Sequence, residues 1–225
     1  MFYLLYLYYA DIAHQYPLLN LIQYQTVRVA LALATAMIVA VAMGSRFINW
    51  IRAKQGRGQP IRDDGPQNHF SKAGTPTMGG LLILAALTIG TTLWARLDNG
   101  YIWIVLLVTA AFAAIGFADD YAKVTKQHHA GLSGRVRLLI GLCIAALAGA
   151  AAAWLHPDAL SGQLALPFFK DALINLSILY VPFAVLVILG AANAVNLTDG
   201  LDGLAIMPVM IAAGTLGIIA YTVGR

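Results

Sequence analysis

The chain has 225 residues, of which 60% are hydrophobic and 11% charged, against about 45–50% and about 25% in an average soluble domain. With a mean hydropathy of +0.75, these values exclude a disordered chain, a nucleic-acid-binding tail and an ordinary soluble enzyme; they point to a polytopic membrane protein. The net charge of +4 and the pI near 9.3 read as basic residues that set membrane topology, with no nucleic acid as partner. Cys143 is the only cysteine, so no intrachain disulfide forms and a Cys-based metal site is disfavoured. Every acidic residue is Asp, so short carboxylates carry whatever acid chemistry there is.

In chain order, Met1–Tyr9 is apolar and aromatic. It lacks the basic start and small-residue cleavage site of a signal peptide and reads as an interfacial segment. A spanning helix needs about 20 mostly apolar residues. Six stretches qualify: Leu21–Gly44, Met78–Leu97, Tyr101–Ala118, Leu138–Leu155, Leu173–Ala192 and Leu204–Thr222. Continuous apolar runs are not barrel alternation, so no sheet signal competes. The expected fold is all-α, a single polytopic membrane domain over residues 1–225.

Six spans put both ends on one side, and loop charge chooses which. Arg46, Arg52, Lys54, Arg57, Arg62 and Lys72 lie between spans 1 and 2, and Lys123, Lys126, Arg135 and Arg137 between spans 3 and 4. That face should be cytosolic and both termini outward. Arg28, Arg96, Lys170 and Arg225 fall near the other face. There, Asp98-Asn99-Gly100 reads as a tight turn. The 156–169 loop, with Pro157, Pro167 and Phe168-Phe169, reads as an interfacial lid.

The unusual polar residues all map to the cytosolic face: Asp63-Asp64, Lys72, Asp119-Asp120, Lys123, Asn193, Asn196, Asp199 and Asp202. Ionisable residues at membrane depth are costly and often functional. Asp119-Asp120 follows span 3 directly. It is either a solvated helix end or a carboxylate pair that opposes the macrodipole, relieved by Lys123 and suited to Mg²⁺ or to proton transfer. The segment Lys72–Gly80 (KAGTPTMGG) opens span 2, with Thr75 as N-cap and Pro76 at the first helical position. A lysine and glycines before a helix N-terminus also suit a phosphate. The 193–203 segment (NAVNLTDGLDG) is denser in Asn, Asp and Gly than a plain turn needs. It suits a hydroxyl-rich ligand, a base edge or a hard cation. His128-His129 reads as solvated loop, Trp50, Trp94, Trp103 and Trp154 as interface residues, and the 149–153 run as small-residue helix packing.

Three stretches together, Gly58–Gly80 (GQPIRDDGPQNHFSKAGTPTMGG), Gly116–Lys123 (GFADDYAK) and Asn193–Ile206 (NAVNLTDGLDGLAI), resemble the phospho-N-acetylmuramoyl-pentapeptide-transferase family (MraY). This family is the bacterial branch of the polyprenyl-phosphate hexosamine-1-phosphate transferases. The Asp pair alone marks only the superfamily, whereas KAGTPTMGG is specific to the muramoyl-pentapeptide branch. The chain resembles the N-terminal portion of a member. Further helices, a third catalytic aspartate, a uracil-stacking aromatic and a histidine-rich loop belong to the family's pattern past the position of Arg225.

The resemblance implies a bacterial inner-membrane enzyme of peptidoglycan synthesis with its active face cytosolic. Phospho-MurNAc-pentapeptide passes from UDP-MurNAc-pentapeptide to undecaprenyl phosphate in the inner leaflet, giving lipid I and UMP with Mg²⁺ as cofactor. It implies catalytic roles for Asp119 and Asp120 and a Mg²⁺ ligand in Asn196. It implies substrate contacts from Lys72, Thr77, Lys123, Asn193, Asp199, Gly200 and Asp202, and it favours a homodimer. The alternatives are a related transferase that uses UDP-GlcNAc and an inactive membrane fragment.

Overall fold

The structure, a computed structural model, describes residues 1–9, 15–55, 76–126, 131–156, 162–165, 173–198 and 203–223. The elements are α1 (Phe2–Tyr8), α2 (Pro17–Asn20), a 3₁₀ turn (Leu21–Gln23), α3 (Gln25–Gln55), α4 (Gly80–Trp94), α5 (Gly100–Lys126), α6 (Gly134–Leu155), β1 (Gln163–Ala165), β2 (Leu173–Asn175), α7 (Tyr180–Thr198) and α8 (Ile206–Val223). Among the described residues five helices are long and apolar enough to cross a membrane: α3, α5, α6, α7 with the 3₁₀ turn Ser177–Leu179 before it, and α8. The expected all-α membrane architecture therefore holds. Large apolar side chains stand exposed along every one of these helices, as lipid-facing surface requires.

The span between residues 78 and 97 is shorter than its sequence suggests. Its helix, α4, has 15 residues, about 22 Å at 1.5 Å per residue, against a hydrocarbon core of about 30 Å. Thr75 lies outside the described residues, and Pro76 is not at a first helical position. Met78 has a left-handed φ of 70°, and the helix begins only after Gly79, its N-cap. Conversely, α3 does not stop at Gly44. A glycine costs a helix only about 1 kcal/mol, and α3 runs 31 residues to Gln55, about 46 Å. Its last turns, with Arg46, Arg52 and Lys54, extend past an apolar slab of about 30 Å.

The stretch beginning at Leu173 is also corrected. Leu173–Asn175 is a strand paired antiparallel with Gln163–Ala165, with Leu164 opposite Ile174. Gly162, at φ +71°, lies close against the Ser177 backbone and accepts a hydrogen bond from Leu176 N–H at 2.8 Å. Asn175 Oδ1 accepts from Ser177 N–H at 2.9 Å. These local bonds satisfy backbone that a helix would otherwise pair internally. Phe168 and Phe169, the expected lid, lie outside the described residues.

The chain divides into two compact units, Met1–Ile140 and Gly141–Arg225. In the first, α4 packs along α3 and against α5, and α1 lies on the 3₁₀ turn and α4. Gly90 makes the α3–α4 approach possible: a Cβ there would stand 2.7 Å from Ala32 O and 3.3 Å from Ala36 Cβ. Trp94 Nε1 donates to Thr35 Oγ1 at 2.9 Å across the same pair. At that end the Met1 ammonium donates to Thr92 O at 2.6 Å and Leu93 O at 3.2 Å, at the negative pole of α4. The expected interfacial segment is thus a short helix held to the bundle. Arg28 and Arg96, predicted to share one face, both lie over the Tyr3 ring, at 4.2 and 5.4 Å. In the second unit small residues do the same work. A Cβ on Gly149 of α6 would stand 2.9 Å from Ala184 Cβ of α7, which bears out the small-residue packing expected there.

Candidate functional site

The first unit gathers polar groups at the end opposite Tyr3. The twenty helical steps from Gly100 to Asp120 carry α5 about 30 Å, one hydrocarbon thickness. The aspartate pair therefore sits where an apolar slab would end. It is not at a helix C-terminus, however: α5 continues to Lys126. The macrodipole, felt only within the last turn, is not what governs these carboxylates. Asp98-Asn99-Gly100 turns as expected, with Asn99 Oδ1 accepting from Tyr101 N–H at 3.0 Å.

Adjacent residues on a helix diverge by about 100°, and the two aspartates reach different partners. Asp119 is buried, with 7% of its surface exposed. Its Oδ2 pairs with Lys123 Nζ at 2.6 Å, one turn on, and its Oδ1 accepts from Leu132 N–H at 2.7 Å. Arg137 adds positive charge nearby. Gly131 comes so close that a Cβ on it would overlap Asp119 Oδ1 and stand 2.9 Å from Lys123 Cε. Asp120 is half-buried. Its Oδ2 accepts from Thr77 Oγ1 at 2.5 Å, and its other oxygen accepts nothing among the described residues.

Thr77 is itself fixed from α3. Gln55, the last residue of that helix, accepts from Thr77 N–H through Oε1 at 3.0 Å and donates from Nε2 to Thr77 O at 3.2 Å. The left-handed turn at Met78 then leads the chain into α4. Of the expected site residues, the structure brings together Thr77, Asp119, Asp120 and Lys123. Asn193 and Asn196 belong to the second unit. They are not in a loop: α7 continues through both, to Thr198. Three residues apart, they share a helix face, both exposed, with Asn193 Nδ2 donating to Leu189 O at 2.8 Å. Lys72, Asp199, Gly200, Asp202, Asp63, Asp64 and His128-His129 lie outside the described residues.

Sequence reasoning missed Gln55, Gly131 and the Leu132 amide. Their only trace is a polar residue before Gly56 at the end of an apolar helix, and Gly131 before a new apolar run. The oxygen donors at the aspartate pair are hard carboxylate and hydroxyl groups. No group of three or more His, Cys, Asp or Glu that could hold a metal occurs among the described residues. The open oxygen of Asp120 is a hard donor of the kind Mg²⁺ takes from a protein alongside substrate phosphates.

Apolar helices that carry a buried ion pair and a second, partly open carboxylate about one hydrocarbon thickness along a helix define a membrane protein with a polar site at the edge of its apolar slab. The relatives make this class particular. Residues 102–225 match glycosyl transferase family 4. Residues 72–84 match signature 1 of the phospho-N-acetylmuramoyl-pentapeptide-transferases. The phospho-N-acetylmuramoyl-pentapeptide-transferase of Dinoroseobacter shibae is 65% identical over 207 residues, covering 92% of this chain and 57% of that protein. That of Ruegeria pomeroyi is 64% identical over 206 residues, again 92% and 57%. The chain belongs to glycosyl transferase family 4 and, within it, to the phospho-N-acetylmuramoyl-pentapeptide-transferases. It spans 57% of the length of these curated relatives.

Proposed function

We propose that the protein transfers phospho-MurNAc-pentapeptide from UDP-MurNAc-pentapeptide to undecaprenyl phosphate, giving lipid I and UMP. One observation carries the reading: the Thr77–Asp120 hydrogen bond joins the family signature segment, residues 72–84, to the aspartate pair in the matched 102–225 region. A phosphate oxygen of the lipid attacks the sugar-bearing phosphorus of the nucleotide as the bond to UMP breaks. Asp120, with one oxygen held by Thr77 and the other open, orients the acceptor phosphate or takes its proton. Asp119, with both oxygens committed, keeps Lys123 in place beside it. Lys72 at the nucleotide site, Asp199, Gly200 and Asp202 at the uridine moiety, and Asn193 as a further substrate contact are proposed from the resemblance.

Mg²⁺, if bound, would offset the negative charge that builds as UMP leaves. Asn196 is the residue proposed, from the resemblance, to hold it. The proposed setting is a single six-span domain of the bacterial inner membrane, with both ends outward, the site at the cytosolic face and a homodimer as the working form. The excess of Lys and Arg at the α3 and α5 ends supports that orientation.

The test offers UDP-MurNAc-pentapeptide and UDP-GlcNAc separately, with undecaprenyl phosphate, to the protein as its gene encodes it. Mg²⁺-dependent UMP release from the muramoyl nucleotide alone is expected. Turnover of UDP-GlcNAc alone would overturn the substrate assignment.

A further inference from the structure

We propose that Gln55 is a positioning residue: its side-chain amide clamps the Thr77 backbone so that the Thr77 hydroxyl is delivered to Asp120. The proposal rests on the transferase reading above. Gln55 and Thr77 are 22 residues apart in sequence, and both polar ends of the Gln55 amide engage the same residue. Oε1 accepts from Thr77 N–H at 3.0 Å, and Nε2 donates to Thr77 O at 3.2 Å.

This two-point pairing copies what a neighbouring strand would supply. It does so where, among the described residues, no strand or helix serves the Thr77 backbone, since α4 starts only at Gly80. A single hydrogen bond leaves the residue free to pivot about it, whereas two, one to its N–H and one to its C=O, hold the backbone on both sides of the Thr77 Cα. With the backbone so fixed, Thr77 Oγ1 meets Asp120 Oδ2 at 2.5 Å. The chain then reverses hand at Met78, φ 70°, a conformation unfavourable for a residue with a Cβ. Such a turn holds only when its surroundings determine it, and the clamp precedes it by one residue.

The chemistry of the clamp is specific. It needs a donor and an acceptor on one planar group at this reach, which only Gln supplies. Glu is acceptor-only when ionised, and Asn is one methylene shorter. A Gln that merely ended α3 would need neither contact.

The experiment measures UMP release by the full-length protein in four forms: wild type, Gln55→Leu, Thr77→Val and the double variant. Thr77→Val removes the hydroxyl while keeping the backbone that Gln55 holds. Gln55→Leu is expected to lower kcat about tenfold with KM changed less than twofold, an effect on the reacting geometry rather than on uniform binding. Because Gln55 acts through the hydroxyl, it should cost nothing further in the Thr77→Val background. Gln55→Glu should fall with Gln55→Leu, although it keeps the shape.

Full activity in Gln55→Leu, or losses that multiply in the double variant, overturns the proposal. So does a Gln55→Leu rate that falls only in proportion to the folded fraction measured by size exclusion in detergent. If wild type itself releases no UMP from UDP-MurNAc-pentapeptide, the transferase reading fails instead. The clamp is then read from the thermal stability of the same four forms: coupled losses support it and additive losses refute it.

Discussion

Gly131→Ala tests the electrostatic anchor of the site with one methyl group. Gly131 has no need of unusual backbone angles, being absent from the glycines with positive φ; it is required for space. A Cβ would overlap Asp119 Oδ1 and stand 2.7 Å from Asp119 Cγ and 2.9 Å from Lys123 Cε. Lys123 Cε can yield, but the carboxylate is held from two sides, by Lys123 Nζ at 2.6 Å and Leu132 N–H at 2.7 Å. Relief requires the chain at 131–132 to withdraw, which breaks the Leu132 hydrogen bond. A hydrogen bond to a charged group contributes about 1.5–3 kcal/mol, and overpacking a close contact costs about 1–3 kcal/mol. The two describe one displacement, so a loss of about 2 kcal/mol is expected. The assay is thermal unfolding of the purified protein in detergent, run also in an Asp119→Ala background. The substitution should lower Tm in the wild-type background and leave it unchanged where the carboxylate is gone. An equal loss in both backgrounds, or none in either, would refute the reasoning.

Other consequences are as direct. Gly90→Val should separate α3 from α4, because its side chain would run into Ala32 O and Ala36 Cβ; a disulfide engineered across the pair should then form more slowly. Trp94→Phe removes the hydrogen bond to Thr35 Oγ1 and should cost about 1 kcal/mol, read as a lower Tm that Thr35→Val does not lower further. Asp98 is held below the usual carboxylate range by its hydrogen bond with Arg96, made at 2.8 Å. A lowered pKa adds stability that is present above the ordinary carboxylate value and lost as pH falls through the lowered one. Asp98→Asn should therefore flatten only the acid side of the stability–pH curve, and only slightly, because the pair is exposed.

The helices were legible in the sequence because lipid leaves few options: backbone must be paired internally, so long apolar runs become helices. Their ends were less so. Gly44 resembled a stop, yet a lone glycine is a small penalty beside the rest of a 31-residue helix. Thr75-Pro76 carried the signal of a helix start, but the turn at Met78 delays the helix to Gly80. The pairing of Gln163–Ala165 with Leu173–Asn175 was hidden because the second strand opens an apolar run that reads equally as helix. At the site, Asp119, Asp120, Lys123 and Thr77 were visible as residue types out of place in an apolar chain. That the two aspartates part company was not visible, since it follows from α5 continuing past them. Gln55 was not visible either: an amide at a helix end carries no motif, and its partner is defined only once α3 and the signature segment meet.

UMP release by Asp120→Asn, set beside Asp119→Asn, tests the central claim most directly. Both are measured with UDP-MurNAc-pentapeptide, undecaprenyl phosphate and Mg²⁺. The account predicts that Asp120→Asn stays folded and loses about a hundredfold or more in kcat, the scale of a lost acid–base group, whereas Asp119→Asn loses both thermal stability and rate. Wild-type turnover by folded Asp120→Asn would contradict it.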